Sequence, residues 1–142
     1  MTPCNKIKFE ILLTYFQQEN LNLPSGFLEL ETDEEIDSVY NKNYDKLPSK
    51  AIRLKNYDRL QDLENEFREG DCETNIPTEW DRNYESKSVA KQMSDGSWVG
   101  WTYWYGGGKH GNPEELEWME YAYDLNCSEE TKMIVVKTFT KV

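Results

Sequence analysis

The sequence predicts an α+β fold, in which a small antiparallel sheet from a C-terminal β-β-α-β unit packs with N-terminal helices. Three observations carry this expectation. Apolar residues fall at helical spacing in the first half. An Asp-Gly pair at 95–96 separates two strand-like runs. Residues 132–142 (KMIVVKTFTKV) are rich in β-branched residues, as strands are. At 142 residues the chain suits one domain. Residues 1–79 form its mainly helical, acidic part, and residues 86–142 its hairpin, helix and terminal strand.

Residues 6–19 place Phe9, Leu12, Leu13 and Phe16 on one helical stripe, although the Ile7-Phe9-Ile11 alternation also fits a strand. Pro24 and Gly26 turn the chain. Residues 27–30 suit a short strand or a loop. Thr32 and Glu35 then form a capping box, with a short helix through Ile36, Val39 and Tyr40. The polar segment 41–50 reads as loop. Leu60, Leu63 and Phe67 mark an amphipathic helix over 56–69, which Gly70 stops. Residues 70–86 have no periodicity, and so long a connection is where a functional loop is expected.

Residues 88–93 and 97–105 flank Asp95-Gly96. A two-residue turn there sets Met93 opposite Trp98, Lys91 opposite Gly100 and Val89 opposite Thr102. Both faces of the second strand are then aromatic. After the Gly106–Gly111 loop, Asn112 suits a helix N-cap, Pro113 suits N1, and Glu114 and Glu115 suit the positive helix end. Leu116, Met119 and Tyr123, beside Trp118, Ala122 and Leu125, would form the apolar face of that helix.

The net charge is -11, with 27 acidic against 16 basic side chains. The sequence pI is near 4.6 and the mean hydropathy is -0.86. Such a field opposes direct nucleic-acid binding and anionic membrane surfaces, and it accommodates a basic protein partner. Residues 1–79 hold 17 acidic against 9 basic side chains, so an acidic docking face is expected there, at 29–37 and 58–73. Cys4, Cys72 and Cys127 are odd in number and widely spaced, which argues against a disulfide framework or zinc site. With no signal-peptide core and no spanning apolar run, the expected location is the cytoplasm.

Two constellations stand out as candidate binding residues. The first is the aromatic strand, with Trp98, Trp101, Tyr103 and Trp104. The bland reading buries about half of these rings, and the functional one exposes a stacking face with Gly100 admitting a close approach. The second is the glycine loop, with Gly107, Gly108, Lys109 and His110 before a helix start, which has the makings of a cradle for a small anion. It lacks the P-loop spacing, and a bare flexible turn explains it equally well. His110, the only histidine, has Glu114 four residues on, but two ligands are too few for a metal site.

No nucleophile motif occurs, so no catalytic residue, cofactor or metal is assigned. The sequence therefore favours a non-enzymatic binding protein docking on a basic partner, in the manner of inhibitor, immunity or counter-defence proteins. Its alternative is a small-molecule or nucleotide domain with a pocket between the aromatic strand and the Gly106–Gly111 loop. A hydrolase or transferase using His110 ranks last.

Overall fold

The computed structural model describes the backbone of residues 1–45 and 50–142, and the side chains of 1–43 and 59–142. Three helices precede a four-stranded antiparallel sheet, so the fold is α+β. The helices are α1 (Pro3–Gln18), α2 (Asp33–Asp45) and α3 (Lys50–Arg68). The strands are β1 (Cys72–Glu73), β2 (Glu85–Gln92), β3 (Trp98–Tyr105) and β4 (Tyr123–Leu125), in the spatial order β1-β2-β3-β4.

Helices α1 and α2 start where side chains can satisfy free amides. The Thr2 hydroxyl accepts from the Asn5 N–H at 3.2 Å, and Pro3 fills the first turn of α1. At α2 the capping box forms as expected. The Glu35 N–H donates to the Thr32 hydroxyl at 3.3 Å, and the Thr32 N–H donates to the Glu35 carboxylate at 3.4 Å. Helix α2 runs on to Asp45 and α3 begins at Lys50, so 41–45 and 50 are helix rather than the expected loop, and the remainder of that expectation, at 46–49, lies outside the described residues. Residues 27–29 form a single 3₁₀ turn that turns Phe27 into the core, stacked on Phe9 at 4.9 Å.

The core joins the three helices to one face of the sheet. Ile7, Ile11, Leu12 and Tyr15 of α1 and Leu60 and Leu63 of α3 meet Val89, Val99 and Trp101. Burying each such aliphatic side chain is worth about 1.5–3 kcal/mol relative to exposure. Trp101 is fully buried, and its indole N–H donates to the Arg68 carbonyl at 2.8 Å, satisfying an acceptor that the end of α3 would leave open. Arg68 returns the tie: Nη1 donates to the Trp104 carbonyl at 2.7 Å, and the guanidinium lies 4.6 Å from the Tyr103 ring centre. Ion pairs Lys6–Asp124 and Lys8–Asp37 brace α1 against β4 and α2 at the surface.

The hairpin differs from expectation by one residue. Val89 pairs with Trp101, Ala90 with Gly100 and Gln92 with Trp98. The Met93 N–H donates to the Ser97 carbonyl at 2.7 Å, and the Gly96 N–H to the Met93 carbonyl at 3.0 Å, so the loop is Ser94-Asp95-Gly96. Gly96 takes φ +90, as a three-residue loop ending in a left-handed residue requires. Asp95 locks it by accepting from the Ser97 N–H and hydroxyl at 2.9 and 2.6 Å. One residue of slip changes every cross-strand partner: Trp101 faces Val89 rather than Ala90.

The β-β-α-β order is corrected to β-β-β. No helix follows Asn112. Residues 113–115 and 119–121 are single 3₁₀ turns, and Asn112 makes no side-chain cap. Leu116 is extended (ψ 138), which ends the first turn. Packing explains the outcome. Trp118 and Met119, adjacent in sequence, are both buried, and Trp118 lies 5.1 Å from Trp101. Tyr123 and Leu125 alternate onto one face of β4 and close over Gly100, where a Cβ would stand 2.6 Å from Leu125 Cδ1 and 2.8 Å from Tyr123 Cε2. One helix cannot present both arrangements. The expected strand at 132–142 is also absent. That stretch has no regular element and its large apolar side chains are exposed. Among the described residues, no helix is long and apolar enough to cross a membrane.

Candidate functional site

The register sorts the aromatic strand into two roles. Odd-numbered Val99, Trp101 and Tyr103 face the helices. Even-numbered Trp98, Gly100, Thr102 and Trp104 face outward, joined across the sheet by Ser88, Ala90, Tyr123 and Leu125. Strand β4 pairs only with Trp98, Val99 and Gly100, so no strand among the described residues flanks the Trp101–Tyr105 stretch on that side.

A cleft of about 790 Å³ opens over this part of the outer face. Thr102, Trp104 and Tyr123 form its floor. One wall is the strap Ile76–Glu79 with Asp81, and the other is Glu115–Trp118 with Tyr121. The strap is pinned to β2, because the Ser86 hydroxyl donates to the Thr78 hydroxyl at 2.8 Å. Asp81 holds the return of the chain by accepting from the Asn83 and Tyr84 N–H groups at 2.7 and 3.1 Å. Opposite, the Leu116 N–H donates to the Pro113 carbonyl at 3.2 Å and closes the turn that carries Glu115.

The chemistry of the lining is one-sided. Glu79, Asp81, Glu115 and Glu117 contribute four carboxylates, and no lysine, arginine or histidine occurs among the described lining residues. Trp104, Trp118, Tyr121 and Tyr123 contribute aromatic surface. Tyr121 is 73% exposed, and Trp80, between two strap carboxylates, is 86% exposed. Tryptophan is highly buried on average, so an indole this open stands out. The Tyr123 hydroxyl is buried with no hydrogen-bond partner among the described residues, and so is the Ser88 hydroxyl on the same outer face. An unpaired buried polar group costs about 1–3 kcal/mol.

The expected site residues divide between places. Trp104 lies in the cleft floor. Trp98 lies on the same face, partly buried, at the far end beside Leu125. Trp101 belongs to the core, and Tyr103 lies on the inner face beneath Arg68 and Lys87. Gly107, Gly108, Lys109 and His110 do not line the cleft. Gly107 (φ +87) presses against Tyr84, where a Cβ would stand 2.5 Å from Cε1, and the Tyr84 hydroxyl accepts from the Asn112 N–H at 3.3 Å. Gly108, Lys109 and His110 form one exposed 3₁₀ turn, with no eight-residue helix behind it to lend a dipole. The aromatic strand thus has its pocket, but the strap and the 115–121 segment enclose it in place of the glycine loop.

Sequence reasoning passed over Trp118, Tyr121 and Tyr123, which line the cleft, and Trp80, which stands exposed in the strap without lining it. One signal was present: Trp80 interrupts a polar, acidic, non-periodic connection, where a buried role is hard to arrange. Elsewhere Asp62, Glu66 and Glu69 border a shallow acidic depression on α3 with Asn65. Asp71 and Glu73 are spent on Lys91 and Lys87, each at 3.0 Å. Among the described residues, no group of three or more His, Cys, Asp or Glu is placed to hold a metal ion. No protein-family model matches the chain, and no curated protein or solved structure matches it.

Proposed function

We propose that the chain is a small acidic, non-enzymatic binding protein that docks on a basic protein partner, taking a cationic segment of that partner into the aromatic cleft. The cleft lining carries this reading: four carboxylates and four aromatic side chains with no cation among them. A lysine or arginine entering there gains carboxylate contacts and a cation–π interaction worth about 0.5–2 kcal/mol. Trp80 and Tyr121 supply the exposed rings that commonly dominate interface energetics.

The three unpaired cysteines, two of them exposed, support a reducing cytoplasmic setting. The acidic depression on α3 adds to the net negative charge and favours fast, salt-sensitive association.

A peptide array carrying Lys and Arg in varied contexts tests the reading. Retained peptides should weaken at least tenfold with Glu115→Lys/Glu117→Lys and with Trp104→Ala, and weaken steeply with added salt. Binding indifferent to all three changes would remove the cleft from the function. The volume also suits a small molecule. A thermal-shift panel of metabolites separates that reading, since the carboxylate rim favours cationic ligands over phosphates.

A further inference from the structure

We propose that residues 131–142 of one copy lie as an extended strand in the aromatic cleft of a second copy, so that the chain pairs with itself through its own basic segment. The inference rests on the reading that the cleft takes cationic segments, and it names one such segment.

Four observations lead to it. Residues 131–142 carry Lys132, Lys137 and Lys141 and no acid, whereas all 27 acidic residues lie earlier in the chain. The segment is thus complementary in charge to the cleft. Its composition is that of a strand, yet Met133, Ile134, Val135, Val136 and Phe139 are each at least 77% exposed. A contiguous apolar run left in water marks a contact surface. In an extended strand Met133, Val135, Lys137, Phe139 and Lys141 share one face, pairing apolar groups for an aromatic floor with ammonium groups for a carboxylate rim. The fourth observation concerns β3, which has no flanking strand among the described residues beyond Gly100, on the side where the cleft opens. The Trp104 carbonyl is held by Arg68 Nη1, which leaves the Thr102 main chain for an incoming extended segment to pair with, as in β-augmentation.

The direction of the chain selects a second copy over the same one. Leu125 ends β4 beside Trp98, six residues along β3 and so roughly 20 Å from Trp104, which lies at the opposite end of the cleft floor from Tyr123. Strand β4 runs toward that end, so its continuation leaves the sheet heading away from its own cleft. Entry into a neighbour's cleft needs no reversal, and a two-fold exchange satisfies both clefts at once.

Light scattering on the full-length chain across a concentration series tests this. The expected mass is twice that of the chain, falling to one chain with Lys132→Glu/Lys137→Glu/Lys141→Glu. The same loss is expected with Glu115→Lys/Glu117→Lys, while a mixture of the two charge-reversed proteins recovers the twofold mass. A synthetic 131–142 peptide should dissociate the wild-type pair. A single-chain mass at every concentration overturns the proposal. So does a dimer indifferent to both charge reversals. Array peptides bound by Glu115 and Glu117 on a chain that stays monomeric would leave the cleft reading intact while sinking the exchange. Failure of both the array peptides and the 131–142 peptide would remove the two together.

Discussion

Trp101→Phe separates the core role of the aromatic strand from the role of its outer face. Trp101 is fully buried, touches Trp118 and donates to the Arg68 carbonyl at 2.8 Å. Phenylalanine keeps a ring but loses the donor. The orphaned carbonyl and lost hydrogen bond cost about 1–2 kcal/mol. The smaller ring leaves unfilled space beside Trp118, adding about 1–2 kcal/mol. The total, about 2–4 kcal/mol, is a large share of the roughly 5–15 kcal/mol that stabilises a domain. Urea unfolding followed by far-UV circular dichroism reads it directly. With a slope of about 1–3 kcal/mol per molar, the midpoint should fall by at least about 0.7 M. Trp104→Phe is the control. Trp104 is only partly buried and makes no described side-chain hydrogen bond, so its midpoint should move by less than half as much. Equal shifts for the two variants would refute the assignment of odd residues to the core and even residues to the cleft.

Two further outcomes follow from local geometry. Gly107→Ala should cost about 2–4 kcal/mol, since its positive φ adds about 1–2 kcal/mol of strain to a clash with Tyr84, whereas Gly96→Ala, at positive φ but in open space, should cost only the strain. Equal losses in thermal unfolding would mean that Tyr84 does not pin the loop. The second outcome concerns acid. The Thr2 N–H and the Asn5 side chain hold the Asp33 carboxyl below its usual range, the Glu31 and Thr32 N–H groups do the same for Glu35, and the Ser97 hydroxyl and N–H for Asp95. Carboxyls depressed in the folded state stabilise above their unfolded pKa, near 4, and that stabilisation is lost as pH falls through the folded values. Calorimetry should therefore find a Tm that declines below about pH 4, with a shallower decline in Asp33→Asn/Glu35→Gln/Asp95→Asn. An unchanged acid limb in that triple variant would contradict the assignment.

Local signals in the sequence were read well where one residue's chemistry decides the outcome. Thr32 and Glu35 start a helix because their own side chains satisfy its first amides, and Gly70 follows the end of α3 at φ +69. The apolar stripe of 56–69 placed Leu60 and Leu63 in the core for the same local reason. Sequence failed where distant contacts choose among local options. Asp-Gly fits a two-residue turn, yet Ser97 also bonds Asp95, and the three-residue loop places Val89 across from Trp101. Residues 113–125 have helical spacing and a fit cap. Trp118 and Met119 are nonetheless claimed together by the core, and Gly100 opens a seat that only an extended Tyr123-Asp124-Leu125 fills. The aromatic content of β3 announced a surface, and the aperiodic 70–86 connection was where a functional loop was expected, but no pattern in it said that residues 76–81 would wall Thr102 and Trp104.

Arg68 has a consequence for how the molecule opens. Its carbonyl, guanidinium plane and Nη1 engage Trp101, Tyr103 and Trp104 in turn, so the last turn of α3 and most of β3 share one residue's conformation. Fraying of the helix end releases three strand contacts together, and unzipping of the strand frees the helix carbonyl. Amide protons of residues 66–68 and 101–105 should therefore exchange with deuterium at a common rate, as a single opening unit, rather than in the graded order that exposure alone would set.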